Sequence, residues 1–334
     1  MAKTVLGIDV GYDSLKLALV KGRQVKKTAI VPMPNSLVRA GRIVSVETMG
    51  DLLRRAMKKY GLRCDRAALA LPNETVFIRN VTMPLMTEDQ LQYNLPFEFR
   101  DYITDELKGY VFDYAMLPDG EHPQTEEEEE HAGGSMHMMA VAAPKALLDE
   151  SREYLRKAGM KLVKAAPTVS CFQKLIRMSG APADREYCIL DLGYQSIRMY
   201  MFRGVRHIVT RVLEIGMSSL DQVIAEQYNV DEHLAHTYLL SNYEDCQNRE
   251  NCLNAYGNIT VELMRALNFY RFSNPDSRLE DIWICGGGAM IEALQRAIAE
   301  TMDMKIHSAA ELLPDTQKVA HDYALLQAIG IALE

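Results

Sequence analysis

Residues 6–19, LGIDVGYDSLKLAL, and residues 188–201, CILDLGYQSIRMYM, repeat one pattern at a constant offset. Each copy predicts an apolar strand, a turn of the form Asp-apolar-Gly-Tyr-x-Ser, and a second apolar strand that ends in a tight turn. Because each copy is one β-hairpin, the repeat predicts a chain built from two related halves. The paired columns are Asp9 with Asp191, Gly11 with Gly193, Tyr12 with Tyr194, Ser14 with Ser196, Lys16 with Arg198, and Gly22 with Gly204.

The turn of each hairpin has the composition of an anion-binding site. Gly11 and Gly193 let backbone N–H groups approach a phosphate closely, and a hydroxyl and a cation follow each glycine. Asp9 and Asp191 at the strand ends suit Mg²⁺, which is commonly held by one or two carboxylates together with substrate phosphates. Two such carboxylates facing one another would bracket the ion. Two ordinary hairpin turns are the alternative, but the repetition favours a binding site.

A third glycine-rich element follows late in the chain. Residues 282–290, IWICGGGAM, predict a strand that runs through three glycines into a helix. A helix N-terminus approached without side chains suits a nucleotide. The segment matches neither G-x-G-x-x-G nor G-x-x-x-x-G-K-[ST], which disfavours a Rossmann or P-loop site. Alone, three glycines more often form a simple turn; after two Asp-x-Gly hairpins, they complete a predicted nucleotide site.

Strands and helices alternate around the hairpins, which is typical of an α/β fold. Besides the hairpins, the periodicity predicts strands at 67–71 and 281–285, and helices at 47–60, 150–158, 218–228, 232–240, 258–272, 290–301 and 321–333.

Residues 73–142 differ in character from their surroundings. Three predicted strands at 75–82, 111–117 and 136–142 surround a predicted helix at 88–102, which Pro96 should kink or restart. We therefore expect a small α+β subdomain inserted into the first half. The predicted domains are residues 1–72 with 143–180 for the first half, 73–142 for the insertion, and 181–334 for the second half.

The charge of the chain is concentrated in one segment. The net charge is −8, and residues 119–135, DGEHPQTEEEEEHAGGS, contain seven acidic residues and no basic one. Such a segment predicts a solvated loop within the insertion. The rest of the chain is near neutral and offers no basic face, so nucleic-acid binding is not supported. No apolar run approaches the length needed to cross a bilayer, so neither a secretory signal nor a membrane span is expected.

Two Asp-x-Gly hairpins followed by a strand, three glycines and a helix resemble the actin and sugar-kinase superfamily over nearly the whole chain. More narrowly, the chain is similar to the PilM family, actin-like cytoplasmic proteins of type IV pilus assembly that are related to FtsA. The resemblance implies a duplicated actin-like (ribonuclease H-like) α/β fold. It also implies that the small α+β subdomain inserted in the first half is the one called 1C in similar proteins. It is carried by GIDVGYDSLKLAL, ALPNETVFIRNVTMP, LNFYRFSNPDSRLEDIWICGGGAMIEAL and DYALLQAIGIALE.

The resemblance implies ATP and Mg²⁺ as ligands and gives a role to each candidate residue. Loops of this family usually carry small residues beside the glycine, whereas this chain has Tyr12-Asp13 in the first loop and Tyr194-Gln195 in the second. Met217 stands where a second glycine is common. The implied residues are Gly11, Ser14 and Lys16 in the first phosphate loop, Gly193 and Ser196 in the second, Gly216 after it, Gly286, Gly287 and Gly288 on the adenosine side, Glu262 beside the ribose, and Asp9 and Asp191 at the metal, with Asp191 also the catalytic candidate.

Glu262 has an alternative explanation as an ordinary helix-surface residue, and so has its neighbour Arg265. The implied function is a non-catalytic or weakly catalytic adaptor in which ATP orders the two halves. An ATP-dependent kinase or ATPase is the first alternative, with Asp191 orienting the attacking group. An FtsA-like membrane-tethered polymer is the second, but residues 323–333 resemble a core helix without a basic face.

The family resemblance also implies a partner. In similar proteins, the cleft between the insertion and the body holds the short N-terminal peptide of PilN, an inner-membrane protein. Carried over, contacts are expected among residues 76–84 and the first-half strands. The protein would then be cytoplasmic and recruited to the inner face of the cytoplasmic membrane through this partner. Whether ATP is hydrolysed and whether the chain forms a homo-oligomer stay open.

Overall fold

The computed structural model describes residues 3–34, 37–39, 41–117, 134–180, 182, 184–314, 319 and 321–334. Residues 119–133 of the predicted acidic loop lie outside them. The chain divides into two compact units, Met1–Lys174 with Gln327–Glu334, and Leu175–Leu326. We describe each unit by itself.

Strands and helices alternate through most of the described chain, as expected for an α/β fold. The strands are β1 (Thr4–Val10), β2 (Ser14–Lys21), β3 (Gln24–Pro32), β4 (Val38–Arg39), β5 (Arg42–Ile43), β6 (Arg66–Leu71), β7 (Phe77–Pro84), β8 (Tyr110–Met116), β9 (Ser135–Pro144), β10 (Lys161–Pro167), β11 (Glu186–Leu192), β12 (Ile197–Arg203), β13 (Arg206–Leu213), β14 (Asp281–Cys285) and β15 (Lys305–Ser308). The helices are α1 (Val46–Tyr60), α2 (Glu88–Asn94), α3 (Lys145–Lys157), α4 (Thr168–Ser179), α5 (Ser218–Tyr228), α6 (Glu232–Ser241), α7 (Glu250–Ser273), α8 (Glu292–Met302) and α9 (Leu326–Ala332).

The two units contain the same five-stranded sheet. The strand order is β10-β6-β1-β2-β3 in the first unit and β15-β14-β11-β12-β13 in the second. In both, the predicted hairpin is antiparallel, and its first strand pairs in parallel with a later strand, β6 or β14. The predicted duplicated α/β fold is confirmed.

Each hairpin is held by apolar residues at alternate positions. Leu6, Ile8, Leu15 and Leu17 are fully buried in the first unit's core. Leu190 and its neighbours on β11 belong to the corresponding core of the second unit. Because side chains alternate across a strand, this burial fixes the register of each pair. The polar turn that joins the two strands therefore lies at their ends, outside the core.

The segment between β6 and α3 forms a three-stranded antiparallel sheet in the order β7-β9-β8. Helix α2 covers one face of it, and the shared core includes Leu91 and Phe99. A capping box at Thr87 begins the helix. Pro96 sits in a 3₁₀ helix, Leu95–Phe99, that directly follows α2. The predicted helix at 88–102 is therefore interrupted near Pro96, as expected.

The last helix packs closely against β1. A Cβ on Gly7 would overlap the carbonyl oxygen of Ala328, and a Cβ on Gly330 would lie 2.9 Å from Cβ of Cys171. Lys164 and Lys174 donate to the carbonyls of Ile331 and Leu333 near the end of α9. Cations at a helix C-terminus satisfy its open carbonyls and oppose the negative end of its dipole.

Several predicted boundaries differ from the structure. The helix predicted at 321–333 is a 3₁₀ turn, Asp322–Ala324, followed by the shorter α9. Helix α7 begins eight residues before the prediction, because Gly257 lowers local helix propensity while burial of Cys252 and Tyr256 extends the helix. The strand predicted from Thr75 begins at Phe77, after a 3₁₀ turn at Asn73–Thr75.

Candidate functional site

In the first unit, the turn after β1 brings four predicted site residues together. Asp9 and Lys16 are direct cross-strand partners, and the Asp9 Oδ2 atom lies 3.6 Å from Lys16 Nζ. The Gly11 N–H donates to the Ser14 carbonyl at 3.0 Å, which closes the turn. A Cβ on Gly11 would lie 2.6 Å from Lys16 Nζ and 2.9 Å from the Ser14 oxygen. Glycine therefore keeps the lysine and the turn close to the carboxylate.

The second unit repeats this arrangement. Asp191 pairs across the hairpin with Arg198, and Asp191 Oδ2 lies 3.9 Å from Arg198 Nη1. A Cβ on Gly193 would lie 2.5 Å from the Ser196 carbonyl oxygen and 3.5 Å from Arg198 Nη1. The side chains of Asp191 and Arg198 are 12% and 14% exposed, against 16% and 17% for Asp9 and Lys16. Each half therefore holds one largely buried carboxylate beside one cation.

The start of α5 braces the second turn. The N–H groups of Met217 and Ser218 donate to the carbonyls of Gly193 and Tyr194, at 3.1 and 2.9 Å. A Cβ on Gly216 would overlap the Tyr194 carbonyl and lie 2.6 Å from the Gln195 carbonyl carbon. Gly216 thus has a packing reason to be glycine, because only its hydrogen lets the backbone before α5 lie against the turn.

The first of the three late glycines lies against Asp191. Gly286 has a φ of 87°, and a Cβ there would be 2.5 Å from Asp191 Oδ1 and 2.7 Å from the Leu192 oxygen. A Cβ on Gly288 would be 2.5 Å from Met217 Sδ. At Gly287 a Cβ would meet nothing within 4 Å. The structure therefore places Gly286 beside Asp191 and Gly216 beside the turn that follows it, and their use in binding a nucleotide stays a prediction.

The helix expected directly after these glycines starts later. Residues Gly287–Met290 form a 3₁₀ turn, and α8 begins at Glu292. Glu262 lies on α7 and forms an ion pair with Arg265, three residues later on the same helix. That pair accounts for Glu262 as a surface residue of α7, and its role beside a ribose stays a prediction.

Two cysteines, Cys171 on α4 and Cys188 on β11, are fully or almost fully buried. Desolvation by burial raises the pKa of Cys171 to about 12 and likewise that of Cys188 to about 12. Both therefore stay neutral thiols at physiological pH, and a thiol in that state is a poor nucleophile or metal ligand. Within the described residues, no three His, Cys, Asp or Glu side chains converge as a metal site would require.

A groove of about 320 Å³ opens in the first unit beside β8 and β10, which are edge strands of the described sheets. Its apolar lining includes Val111, Met139 and Val141, and its charged groups are Asp113, Arg152 and Lys164. None of its lining residues belongs to β7, the strand within the 76–84 segment where sequence comparison placed partner contacts. The sequence carries no local signal of this groove, because its walls come from four separate segments.

Among the described residues, no helix is both long enough and apolar enough to span a bilayer.

Comparison with known proteins supplies the family and the fold. Residues 7–333 match the family model of the type IV pilus assembly protein PilM. A solved PilM–PilN type IV pilus biogenesis complex superposes with a TM-score of 0.78, at 22% identity over 98% of this chain and 97% of that one. The ethanolamine utilization protein EutJ from Carboxydothermus hydrogenoformans gives 0.60, at 14% identity over 100% and 89%. MreB5 of Spiroplasma citri bound to ADP gives 0.53, at 13% identity over 98% and 94%.

Proposed function

This chain belongs to the PilM family of type IV pilus assembly proteins, and we propose that it is an ATP-binding adaptor of a type IV pilus or related secretion or DNA-uptake machine. In this proposal, the Asp-x-Gly turn is the nucleotide-binding element of each unit. A short peptide from a PilN-like inner-membrane protein occupies the groove of the first unit. The adaptor works in the cytoplasm and reaches the inner face of the membrane through that partner.

The observation that supports ATP binding most is the repeated carboxylate–cation pair at the turns. Lys16 and Arg198 each lie within 4 Å of an aspartate, beside a glycine whose missing side chain keeps the cation and the turn close together. A phosphate chain supplies negative charge and acceptor oxygens that match such turns. MreB5 of Spiroplasma citri, a protein of similar fold, is bound to ADP, which motivates a nucleotide as the ligand here. Gly286–Gly288, against Asp191, is the proposed adenosine side.

Mg²⁺ fits the same residues. Asp9 and Asp191 offer oxygen ligands, which this hard cation prefers. Neither carboxylate belongs to a cluster of three potential protein ligands in the described chain. Such a site suits Mg²⁺ carried in with the nucleotide, since the ion keeps several waters and uses the phosphates as further ligands. When bound, it would neutralise phosphate charge that Lys16 and Arg198 do not reach.

We propose at most weak ATP hydrolysis. Asp191 is the candidate to orient an attacking water, but its carboxylate lies beside Arg198 and is closely covered by Gly286. A general base must reach the proton it removes. The close packing on Asp191 supports a role in holding the nucleotide complex more than a role in fast turnover.

The groove beside β8 and β10 is the proposed partner site. An extended peptide can pair its backbone with an open strand edge while its side chains enter apolar pockets. The groove offers both, because two edge strands border it and most of its lining is apolar. Arg152 and Lys164 add positive charge. The PilM–PilN relative is a complex of this kind of adaptor with PilN, which motivates the choice of peptide.

Titration calorimetry with ATP and Mg²⁺ tests the nucleotide proposal. We expect wild type to bind, and Asp9→Asn and Asp191→Asn to bind at least about tenfold more weakly, because each loses a charged ligand. Asp51→Asn, a change at an exposed carboxylate on α1, is the matched control and should bind like wild type. No heat with wild type, together with no thermal shift, would contradict ATP binding altogether.

Fluorescence anisotropy with a labelled synthetic N-terminal peptide of the organism's PilN-like protein tests the partner site. Val111→Arg places a charge in the groove and should weaken peptide binding at least about tenfold. Val44→Arg, at another exposed valine of the same unit, should leave it unchanged. Equal affinity for both variants would place the peptide elsewhere.

A further inference from the structure

The tyrosine that follows the glycine in each turn has no part in the ATP site proposed above. Tyr12 and Tyr194 occupy equivalent positions, and both are partly buried. Their side chains nevertheless contact different elements by different chemistry. In the first unit the hydroxyl group makes the contact, and in the second unit the ring makes it.

Tyr12 holds a small hairpin. Its hydroxyl oxygen accepts a hydrogen bond of 2.7 Å from the Gly41 N–H, in the turn between β4 and β5. Gly41 has a φ of 71°, and a Cβ there would lie 3.1 Å from the Thr75 methyl carbon. Gly41 is therefore fixed between the turn after β1 and the 3₁₀ turn after β6.

Tyr194 contacts α6 through its ring. The ring packs edge to face with His236, with centroids 5.7 Å apart and an interplanar angle of 83°. His236 Nδ1 lies 2.9 Å from one carboxylate oxygen of Asp221 and 3.2 Å from the other. Asp221 is fully buried in the first turn of α5, the helix whose start braces the same loop. Loop, α5 and α6 thus form a closed set of contacts.

We propose that Tyr12 and Tyr194 are positioning residues that couple each phosphate turn to a neighbouring element, so that ATP in the turns orders the β4–β5 hairpin in the first unit and α6 in the second. The inference rests on the proposed ATP binding. The inference extends that proposal, because it names the structural elements that ATP would order and the atoms through which the turns contact them.

The physical basis is that both contacts begin at the residue next to the phosphate-binding glycine. A phosphate that draws the N–H groups of a turn inward fixes the adjacent Cα atoms, and with them the tyrosine side chain. The Tyr12 hydroxyl can then hold the Gly41 amide, and the Tyr194 ring can hold the imidazole that Asp221 orients. Closely packed contacts pass on such ordering because they tolerate little displacement. The same coupling must act in reverse, so that order in the hairpin or α6 strengthens ATP binding.

Hydrogen–deuterium exchange read out by mass spectrometry, with and without ATP and Mg²⁺, tests this on the full chain. In wild type we expect ATP to slow exchange roughly tenfold in the peptide that contains the Gly41 amide and in the peptides of α6. Calorimetry on the same samples reports ATP binding independently.

The two tyrosines allow a crossed set of variants. Tyr12→Phe keeps the ring and loses the acceptor, so ATP should still bind within about threefold of wild type but no longer slow exchange at the Gly41 peptide. Tyr194→Ala should lose the slowing in α6 alone.

Two further variants keep the test decisive. Arg42→Gln alters the neighbouring residue of the hairpin but leaves the Gly41 bond, and it should behave like wild type. His236→Gln keeps a donor for Asp221 and removes the ring contact with Tyr194. It should therefore also lose the ATP-dependent slowing of exchange in α6, and it replaces Tyr194→Ala in the test if Tyr194→Ala folds poorly. The coupling would be overturned, with ATP binding intact, if ATP still slowed exchange fully at the Gly41 peptide in Tyr12→Phe. The same holds if ATP still slowed exchange fully in α6 in both Tyr194→Ala and His236→Gln. No heat with wild type would overturn both proposals together.

Discussion

The two halves share a hairpin and a sheet but differ at two glycines, and each difference places a different element against the sheet. Gly7 of β1 corresponds to Ile189 of β11, and the backbone of α9 lies directly on the glycine. At the end of the neighbouring parallel strand the difference is reversed. Gly286 follows β14 beside Asp191, whereas Leu71 holds the corresponding position beside Asp9 at the end of β6.

The second difference changes what can approach the carboxylate. In the first half, the Leu71 carbonyl accepts from Thr168 Oγ1 at 3.1 Å, and Asn73 Oδ1 accepts from the Val169 N–H at 3.3 Å. The start of α4 therefore closes that strand end. In the second half, a positive-φ glycine leaves the corresponding place beside Asp191 free of a side chain. Duplication thus preserved the two turns, while, among the described residues, a glycine backbone packs directly against the carboxylate only in the second half.

The largest expected effect comes from making the first half resemble the second at Gly7. A Cβ at this position would overlap the Ala328 carbonyl, which is backbone and cannot move aside cheaply. Gly7→Ala should therefore lower the free energy of unfolding by about 3 kcal/mol or more. Urea unfolding measures this, with Ala18→Gly on the adjacent strand as a control for the change in backbone entropy. A loss below about 1 kcal/mol would show that α9 is not packed on β1 as described.

The next effect concerns the close packing of Gly286 beside Asp191. Gly286→Ala introduces a Cβ 2.5 Å from Asp191 Oδ1 in a left-handed backbone conformation, and we expect ATP affinity to fall about 100-fold. Gly287→Ala adds the same methyl where nothing lies within 4 Å and should retain ATP binding. Leu71→Ala, the counterpart in the first half, should affect stability and leave ATP affinity unchanged. Titration calorimetry compares the three, and equal losses in Gly286→Ala and Leu71→Ala would remove the distinction between the halves.

A smaller effect is expected from acid, which should lower the free energy of unfolding through a buried histidine of the second half. Burial lowers the pKa of His207 on β13 to about 4, although a backbone hydrogen bond at Val209 opposes the shift. The unfolded chain, with an ordinary histidine pKa near 6.5, binds the proton first, so stability contributed by neutral His207 is lost as pH falls from about 6.5 towards 4. Between pH 7.5 and 5 the cost is about 2 kcal/mol.

Urea unfolding at both pH values measures this cost. His207→Gln should flatten the pH dependence, since glutamine does not titrate. His137→Gln, at a buried histidine of the inserted sheet, provides the comparison. An unchanged slope in His207→Gln would assign the acid sensitivity to other groups.

A feature of the fold or the candidate site can be predicted from the sequence when the residues that form it lie close together in the chain. The hairpins and the late glycines were predicted because each is a local pattern, and the repeat of Asp9 in Asp191 made the pattern specific. The packing of Gly7 against Ala328 was not, since the two residues are far apart in sequence and a glycine inside a strand does not name its neighbour. The groove was missed for the same reason. Gly216 was selected as a ligand residue, and the structure adds a packing reason that no local pattern contains.

The smallest expected effect tests whether the two carboxylate–cation pairs are equivalent. Lys16→Met or Arg198→Met leaves a largely buried aspartate without its cation, and each should cost about 1–2 kcal/mol of unfolding free energy. Adding Asp9→Asn or Asp191→Asn in the same half should recover part of that loss, because the uncompensated charge is then removed. A double-mutant cycle in urea gives the coupling energy of each pair. A guanidinium holds its carboxylate through a rigid planar group, whereas an ammonium is a flexible point charge. The Asp191–Arg198 pair should therefore show the larger coupling energy, and a larger value for Asp9–Lys16 would contradict this expectation.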